Sequence, residues 1–446
     1  MEAYSDIIDD DGYFHFSLMW DDAELIHRLK RVDFSNVKPL KFLINFDYQP
    51  SPSDSDIEIY GGENFYRVQD AFSELFDYFH ENDIVWDSLD LSFDYCHDYE
   101  HAILSWLLCK VNARSLFREI SMDTREQVVA FDHSKVYEFE LNKRLKALYL
   151  YGYLFTEQEG RDFGWFLRST SSLKMVNFVL SPEIHKAVCQ GLSRNNSLER
   201  IYLESTCGDA ELSKVMTILS RHTKLRDLCV FSSEYGGDLS SQAIEKFLEQ
   251  SQLSVLALKK ENGARGYLNA GSVVRGLRKN RSLEKLEIGP SVLFGDLPLL
   301  SLLSTLRDCP NLQMLKYDEE TITAQELDQV ILMKRLPRPI ALSLTRDVLQ
   351  ESPYKIQQLL HEHPEVRLGH GEGSLYYTSC MSVPTCSDGS MLPSFNWNGR
   401  YLMDRPGVPS SIWPRLIERV KDNPSLIYKF LKGPAFGERK ETRNQS

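Results

Sequence analysis

Apolar residues recur along this chain in one six-residue pattern, apolar-x-x-apolar-x-apolar. The pattern occurs eleven times, the last two copies being degraded, at an average spacing of 27.7 residues, and the intervals run from 24 to 31 residues. The copies begin at residues 86, 117, 145, 173, 198, 225, 253, 283, 312, 339 and 363. Alternation of this kind is typical of a half-buried strand, so each copy, which we call a strand motif, predicts one strand.

The segments between strand motifs carry apolar residues at helical spacing. Examples are Leu212, Val215, Met216 and Leu219, then Ile244, Phe247 and Leu248, then Leu299, Leu303 and Leu306, then Leu327, Val330 and Ile331. Some repeats are near-copies, as "SRNNSLERI" and "RKNRSLEKL" show. Each repeat is therefore predicted to be a strand, a loop, a helix of about 10–12 residues and a return loop.

A single repeat of this kind cannot bury both its strand and its helix, whereas stacked repeats share one core. Helices are about 10 Å wide and strands lie about 4.8 Å apart, so the stack must curve with its sheet inside. The predicted fold is a curved, right-handed α/β solenoid with a parallel sheet on the concave face and helices on the convex face.

The repeat resembles the leucine-rich repeat family, and its period with helical spacers is similar to that of the ribonuclease-inhibitor-like subclass. The resemblance covers roughly residues 86–368. The family usually has Asn or Cys three residues after the last apolar position, where the side chain bonds along the loops. This chain instead has Ser181, Thr206, Ser233, Ser291, Tyr153, Glu261 and Glu320. We therefore expect less regular loops, in which hydroxyl groups partly replace the amide.

The two ends depart from the repeat. Residues 1–85 are predicted to be atypical capping repeats, with strands in "YFHFSLM" and "LKFLINFDY", a helix in "DDAELIHRLKR" and another in "RVQDAFSELFDYFHEN". Residues 49–64 are rich in Pro, Ser, Asp and Gly and are predicted to be a mobile insertion. An unrelated small N-terminal domain is the alternative.

Residues 369–446 are predicted to be a loop followed by short helices and a tail. The segment resembles one found on uncharacterised leucine-rich repeat proteins of diatom-type algae, and that resemblance implies no activity. We prefer a cap or small docking module over an F-box-like role, because an F-box is longer and usually precedes its repeats.

Charge, cysteine spacing and the lack of long apolar runs limit the classes of partner and the cellular compartments that the sequence predicts. Residues 1–100 hold 24 Asp or Glu against six Lys or Arg, a net charge of −18, whereas the whole chain carries −13. Such a surface argues against nucleic acid there, and either solubilises the chain or attracts a partner with a basic surface. The eight cysteines lack paired spacing, and the chain lacks a long apolar run and a leader-like start. These features predict reduced thiols and a cytoplasmic or nuclear protein without a membrane contact.

Signals for chemistry are weak. Cys96, His97 and His101 lie close in sequence, and on a helix His97 and His101 would have the i, i+4 spacing of zinc sites, but the Glu after the first His and a distant third ligand are lacking. His361, His363 and His370 also lie close together, but degraded terminal repeats expose polar residues freely. "GHGEG" and "NGARGY" do not lead into a phosphate-binding helix, and we assign Gly263 and Gly266 to a strand-to-helix turn. We predict no metal, no cofactor and no enzymatic activity.

The strongest signal is on the predicted concave face, where polar positions of the strands point away from the core. Aromatic residues, Arg and Met gather there on adjacent repeats, and such residues dominate binding hot spots. The predicted partner-binding residues are Tyr149, Tyr151, Met175, Arg200, Tyr202, Glu204 and Phe231. Asp90 and Asp123 extend the acidic surface onto the same face. The alternative is that these side chains pack on each other or on the C-terminal segment.

These observations predict a non-catalytic scaffold that binds a protein on the concave face. Two other binding roles stay open, as does a purely structural role, which the absence of any stoichiometric partner would indicate. The first is regulation of a small GTPase, because some members of the resembled subclass activate one. The second is substrate recognition for a ubiquitin ligase through the predicted helices at 409–436.

Overall fold

The structure is a computed structural model in which the chain divides into two compact units, residues 1–282 and 283–446. The boundary falls inside the predicted repeat array, between Ser282 and Leu283. The structure describes residues 13–17, 30, 41–46, 57–93, 98–124, 139–234, 237–265, 267–289, 292–294, 298–319, 324–333, 340–344, 355, 358–359, 362–363 and 366–370.

The first unit is built on a sheet of nine parallel strands that pair in the order of the chain. They are β1 (Tyr13–Ser17), β2 (Lys41–Phe46), β3 (Trp86–Phe93), β4 (Phe117–Thr124), β5 (Ala147–Tyr151), β6 (Met175–Leu180), β7 (Arg200–Ser205), β8 (Asp227–Glu234) and β9 (Val255–Arg265). A two-residue strand, β10 (Leu268–Asn269), follows. The described strands do not close into a barrel.

Helices connect β2 to β3, β3 to β4 and each consecutive pair of strands from β5 to β9. The described helices of this unit are α1 (Ile57–Glu81), α2 (Asp98–Ala113), α3 (Glu157–Ser169), α4 (His185–Leu192), α5 (Asp209–Leu219), α6 (Asp238–Gln250) and α7 (Ala270–Lys279), with a 3-10 turn at Phe139–Leu141. Described helices span eight to 25 residues, a wider range than the predicted length.

The second unit has the same alternation. Its elements are β11 (Lys285–Ile288), β12 (Leu293–Phe294), α8 (Pro298–Thr305), β13 (Met314–Glu319), α9 (Ala324–Leu332), β14 (Ile340–Leu344) and β15 (Val366–His370). Strands β11, β13, β14 and β15 are parallel neighbours. All eleven strand motifs therefore form strands, and the predicted alternating α/β fold with a parallel sheet is confirmed.

The core of the first unit lies between the helices and one face of the sheet. Alternate strand residues such as Leu148, Val176 and Ile201 are buried, as the period of a half-buried strand requires. Phe163 of α3 packs edge-on against Phe178 of β6, with ring centroids 5.3 Å apart. The apolar helix positions predicted from the spacers are buried in both units.

Helices α3 and α4 approach each other closely at three glycines. A Cβ atom on Gly164 would lie 2.4 Å from the carbonyl oxygen of Ala187, and one on Gly191 would lie 2.2 Å from that of Gly164. A Cβ on Gly160 would lie 2.2 Å from the side chain of Ile184. Only hydrogen fits at these positions, so the glycines set the distance between two neighbouring repeats.

The near-copied segments make the same contacts in both repeats. The side-chain amide of Asn195 donates to the carbonyl of Leu167 (2.6 Å), and that of Asn280 donates to the carbonyl of Leu248 (2.5 Å). In each case the acceptor belongs to the last turn of a helix one repeat earlier, α3 or α6. The near-copy thus preserves a side-chain cap between adjacent repeats.

A serine two residues later completes each copy. The backbone N–H of Ser197 donates to Oδ1 of Asn195, and the hydroxyl of Ser197 donates to the carbonyl of Thr170. Ser282 makes the equivalent bonds to Asn280 and to the carbonyl of Ser251. Thr170 and Ser251 are the residues that immediately follow α3 and α6.

The loops after β5 and β7 are held by the side chains expected to replace asparagine. Tyr153 is buried and its hydroxyl donates to Glu159 (2.7 Å), whose other carboxylate oxygen accepts the backbone N–H of Thr156. The hydroxyl of Thr206 donates to the carbonyl of Leu180, at 3.4 Å. A phenol and an alcohol therefore each make a hydrogen bond that holds one of these loops.

Two local predictions differ from the structure. Helix α1 begins at Ile57, inside the stretch predicted to be a mobile insertion. Residues 49–56 lie outside the described residues. The assignment of Gly263 to a strand-to-helix turn is wrong, since β9 continues to Arg265 after a register shift opposite Ser232 and Glu234.

The described cysteines, which are Cys109, Cys189, Cys207, Cys229 and Cys309, are free thiols. Among the helices of the described ranges, none combines the length and apolar character needed to span a bilayer. The predicted helix at "DDAELIHRLKR", apart from Lys30, and the whole of residues 371–446 lie outside the described residues.

Candidate functional site

The first unit has a sheet face that points away from the packed helices, and we call its part on β3–β8 the tyrosine face. Its side chains form rows because parallel strands pair in register. Tyr149 lies opposite Asn177, which lies opposite Tyr202, which in turn lies opposite Cys229. Adjacent strands are about 4.8 Å apart, so β5 to β8 span about 15 Å.

All seven predicted partner-binding residues lie on the tyrosine face. They are Tyr149 and Tyr151 on β5, Met175 on β6, Arg200, Tyr202 and Glu204 on β7, and Phe231 on β8. They differ in accessibility: Tyr149 and Met175 are buried at 7% and 6% exposure, whereas the other five are half-buried.

The buried pair is held by contacts within the face. The hydroxyl of Tyr149 lies 3.3 Å from Sδ of Met175, and its ring stacks on Tyr151 with centroids 5.9 Å apart. These contacts match the alternative in which part of the aromatic cluster packs on itself. We call the buried pair, Tyr149 and Met175, the aromatic floor of the tyrosine face. The half-buried residues around this pair form the accessible surface of the face.

Charged residues border this floor on β7 and β8. Nε of Arg200 lies 3.1 Å from Oδ2 of Asp227, directly opposite in register, and each side chain keeps about 30% of its exposure. Glu204 lies opposite Phe231 in the same strand pair. This half of the face therefore combines aromatic area with a fixed, half-exposed ion pair.

The other half of the face, on β3 and β4, is acidic. It carries Asp90, Glu119 and Asp123, all half-buried. Burial, followed by the nearby Asp90 and Asp87, raises the pKa of Glu119 to about 7, although Lys41 and Lys146 oppose the shift. A carboxyl group that titrates near neutral pH thus lies beside the aromatic floor.

Tyr149 links the two halves electrostatically. Burial raises the pKa of its phenol, Glu119 and Tyr202 add to the shift, and Arg200 opposes it. Tyr149 therefore stays protonated across the physiological range, and its hydroxyl remains a donor toward Met175.

Glu119 and Asp227 were not among the predicted residues. The prediction treated as outward only the fifth residue of each strand motif and the residue just after the motif, whereas the third residue also points outward by simple alternation. Arg200 and Met175 occupy that third position and were found because of their residue types. Extending the same rule to every motif identifies Glu119 and Asp227 without a structure.

The weaker candidates for metal binding are only partly covered by the described residues. No group of three or more His, Cys, Asp or Glu in these ranges is arranged to hold a metal ion. His363 is buried and its Nε2 bonds to the carbonyl of Ile331 at 3.2 Å, which gives it a structural role. Cys96, His97 and His361 lie outside the described residues, and only the backbone of His101 and His370 is described.

Comparison with known proteins gives no family to which the chain can be assigned. No model of a protein family matches the chain, and no curated protein matches it significantly.

Proposed function

We propose that this chain is a non-catalytic scaffold that binds another protein on the tyrosine face. The observation that carries the proposal is the grouping of half-buried Tyr151, Tyr202, Phe231 and Arg200 on three of four consecutive strands. Tyrosine and arginine are enriched in binding hot spots, because they offer a large contact area with few rotatable bonds or a fork of donors.

We propose in addition that the repeats of the first unit belong to the leucine-rich repeat class and curve with the sheet on the concave side. Parallel neighbours joined through a helix support a right-handed connection, which is the strong rule for such crossovers. Helices wider than the strand spacing support the curvature. The tyrosine face would then be the inner surface of an arc.

The character of the face favours binding over catalysis. Its central groups are a protonated phenol, a thioether and an arginine that is paired with a carboxylate. These groups recognise a surface through apolar contact and fixed charge. The acidic half on β3 and β4 supports a partner whose contacting surface is basic.

Affinity capture from cells tests the proposal with a matched control. The Tyr202→Ala/Phe231→Ala double variant removes two accessible rings from the face, whereas Trp165→Ala removes one ring that is 55% exposed on α3. We expect the double variant to lose the partner that wild type and Trp165→Ala retain, with unchanged thermal stability. Equal recovery of that partner by all three proteins would contradict the proposal.

The two alternative roles remain predictions. A GTP-turnover assay with added small GTPase tests the first. Co-purification of a ligase subunit tests the second, for which the helices predicted at 409–436 lie outside the described residues.

A further inference from the structure

Three loops of the first unit, those that lead into β3, β4 and β5, line a cavity of about 280 Å³. None of the seven predicted partner-binding residues lines it. Its lining combines apolar with basic side chains, which include Phe79, Ile84, Leu116, Arg114, Lys143 and Arg144. The cavity is therefore a second feature of the first unit, separate from the tyrosine face.

The charge of this lining is opposite to that of the chain around it. The cations of Arg114, Lys143 and Arg144 outnumber the single carboxylate of Asp83, which gives these four side chains a net charge of +2. Residues 1–100 in contrast carry −18. A basic residue often offsets the partial negative charge at a helix end, which explains Arg114 directly after α2. It does not explain Lys143 and Arg144, which follow a 3-10 turn of only three residues.

Two of these cations keep most of their hydrogen-bond donors available. Among the described residues, the Arg144 side chain donates only to Oδ1 of Asp83 (2.8 Å), and the Lys143 ammonium donates only to the carbonyl of Glu140 (2.7 Å). A guanidinium has five N–H donors and an ammonium has three. The Arg144 and Asp83 side chains are 45% and 82% exposed, and exposed ion pairs contribute little stability. An incoming anion can therefore displace Asp83 from Arg144 at small cost.

The third cation, Arg114, is held in place in the wall of the cavity. Its side chain is only 19% exposed. Its Nε donates to Oδ1 of Asp77 (2.7 Å), and its Nη1 donates to the carbonyl of Lys110 (3.3 Å). The cavity thus combines one positioned guanidinium with two exposed cations, and a positioned group loses little freedom when a ligand binds.

We propose that this cavity binds a small organic phosphate, with the phosphate group bound by Arg114, Lys143 and Arg144. A phosphate monoester carries a charge of about −1.5 to −2 at pH 7 and three oxygens that accept charge-assisted hydrogen bonds. That charge matches the net charge of the lining, whereas a carboxylate supplies only one negative charge.

The size and the apolar part of the lining define the rest of the ligand. At about 280 Å³ the cavity is slightly below the range of about 300–1,000 Å³ that holds drug-sized ligands, so the organic part is small. Phe79, Ile84 and Leu116 provide it with apolar contacts. This inference does not depend on the proposed function, because the cavity and the predicted partner-binding residues have no residue in common.

Titration of the full chain with phenyl phosphate tests the site at pH 8, where the probe is a dianion, and at constant ionic strength. The Nε–Hε NMR signal of Arg114, assigned with Arg114→Lys, reports occupation because Arg114 lines the cavity. We expect a saturable shift with phenyl phosphate and at least about tenfold weaker binding of benzoate. Arg144→Gln should weaken phenyl phosphate binding by at least about fivefold, because it removes a charged donor.

Asp83→Asn should have the opposite effect. It releases Arg144 from its carboxylate partner and raises the positive charge of the lining, so phenyl phosphate should bind at least about twofold tighter. Asparagine also tolerates the left-handed backbone at this position, where φ is 51°, so the variant should fold like wild type.

Arg161 and Glu157 on α3 provide matched controls, because they form an exposed ion pair at 2.7 Å and do not line the cavity. Arg161→Gln and Glu157→Gln should each keep the dissociation constant within about 1.5-fold of wild type, since salt screens distant charges. Absence of a saturable shift, benzoate binding as tight as that of phenyl phosphate, or weaker binding in Asp83→Asn would overturn the inference. Equal losses in Arg144→Gln and Arg161→Gln would overturn it too, because the general charge of the chain would then explain binding.

Discussion

Asn195 and Asn280 hold equivalent positions 85 residues apart, and the amide of each donates to a carbonyl two residues before the end of a helix in the preceding repeat. Each asparagine is buried, and its Oδ1 also accepts a backbone N–H from the serine two residues later. Each side chain therefore satisfies a carbonyl at the helix end of the preceding repeat and a backbone N–H of its own return loop.

Removal of either amide should destabilise the first unit. Asn195→Ala leaves a buried carbonyl and two backbone donors without their partner, which costs about 2–3 kcal/mol in free energy of unfolding. Asn196 is exposed, so Asn196→Ala is the matched control and should change stability by less than about 0.5 kcal/mol. Urea denaturation of the two variants measures the difference, and equal midpoints would contradict the capping role.

The packing of α3 on α4 makes a second prediction. A Cβ on Gly164 would overlap the backbone of Ala187, which cannot move like a side chain, so Gly164→Ala should destabilise by about 3 kcal/mol. Gly208 is the control, because a Cβ there meets only the far end of the Glu211 side chain at 3.3 Å. Thermal denaturation should show a large loss for Gly164→Ala and a small change for Gly208→Ala.

Two helix ends make a third, paired prediction. Asp83 and Ser115 both have left-handed backbone angles, with φ of 51° and 52°, just after α1 and α2. Asp83→Gly should stabilise by about 0.5 kcal/mol, because glycine adopts this conformation without steric cost and the ion pair to Arg144 is exposed.

Ser115→Gly should not share that benefit. The Ser115 hydroxyl donates to the carbonyl of Leu141 and accepts the backbone N–H of Lys143, and glycine loses both bonds. We expect a loss of about 1 kcal/mol. Stabilisation by both substitutions, measured by urea denaturation, would show that these bonds contribute nothing.

Glu119 makes a prediction about pH. Its pKa is raised on folding from 4.5 to about 7, so protonation is favoured in the folded state. The stability that this shift contributes is complete below about pH 4.5 and is lost as pH rises through 7. Glu119→Gln removes the penalty and should stabilise by about 1–2 kcal/mol at pH 8, an amount reduced by solvent screening of a half-buried group.

The same substitution should have little effect at pH 4 or below, where Glu119 is protonated in the folded state and mostly protonated in the unfolded state. Asp87→Asn, in contrast, should not stabilise at pH 8, because Asp87 is paired with Arg118. Denaturation of wild type and both variants at the two pH values measures the dependence. A pH-independent effect of Glu119→Gln would show that the carboxyl group is not shifted.

Much of the fold could be predicted because the strand motif fixes both periodicity and orientation. Leu148 and Val176 are buried and Tyr149 lies on the other face, as alternation requires. The exact helix start at Ile57 and the length of β9 could not be predicted, since glycines are compatible with helix, strand or turn. The close approach at Gly164 depends on the neighbouring helix, which no local pattern encodes.

The residues of the tyrosine face could be predicted from the sequence, but the burial of each side chain could not. Residue type and register placed Tyr149 and Met175 on this face, yet their burial depends on the contact between them across β5 and β6 and on the stacking of Tyr149 on Tyr151 along β5. The raised pKa of Glu119 likewise depends on which carboxylates lie on β3 beside it. Burial and the pKa shift both depend on which side chains the folded sheet brings together, and the sequence pattern alone does not give those contacts.

Site-specific photocrosslinking in cells tests the central claim most directly. A benzoylphenylalanine replaces Tyr202 on the tyrosine face in one protein and Trp165 on α3 in another. The account predicts an adduct with a discrete partner protein from position 202 and none with that partner from position 165. Adducts from position 165 alone, or none from position 202 while the partner still co-purifies, would contradict binding on the tyrosine face.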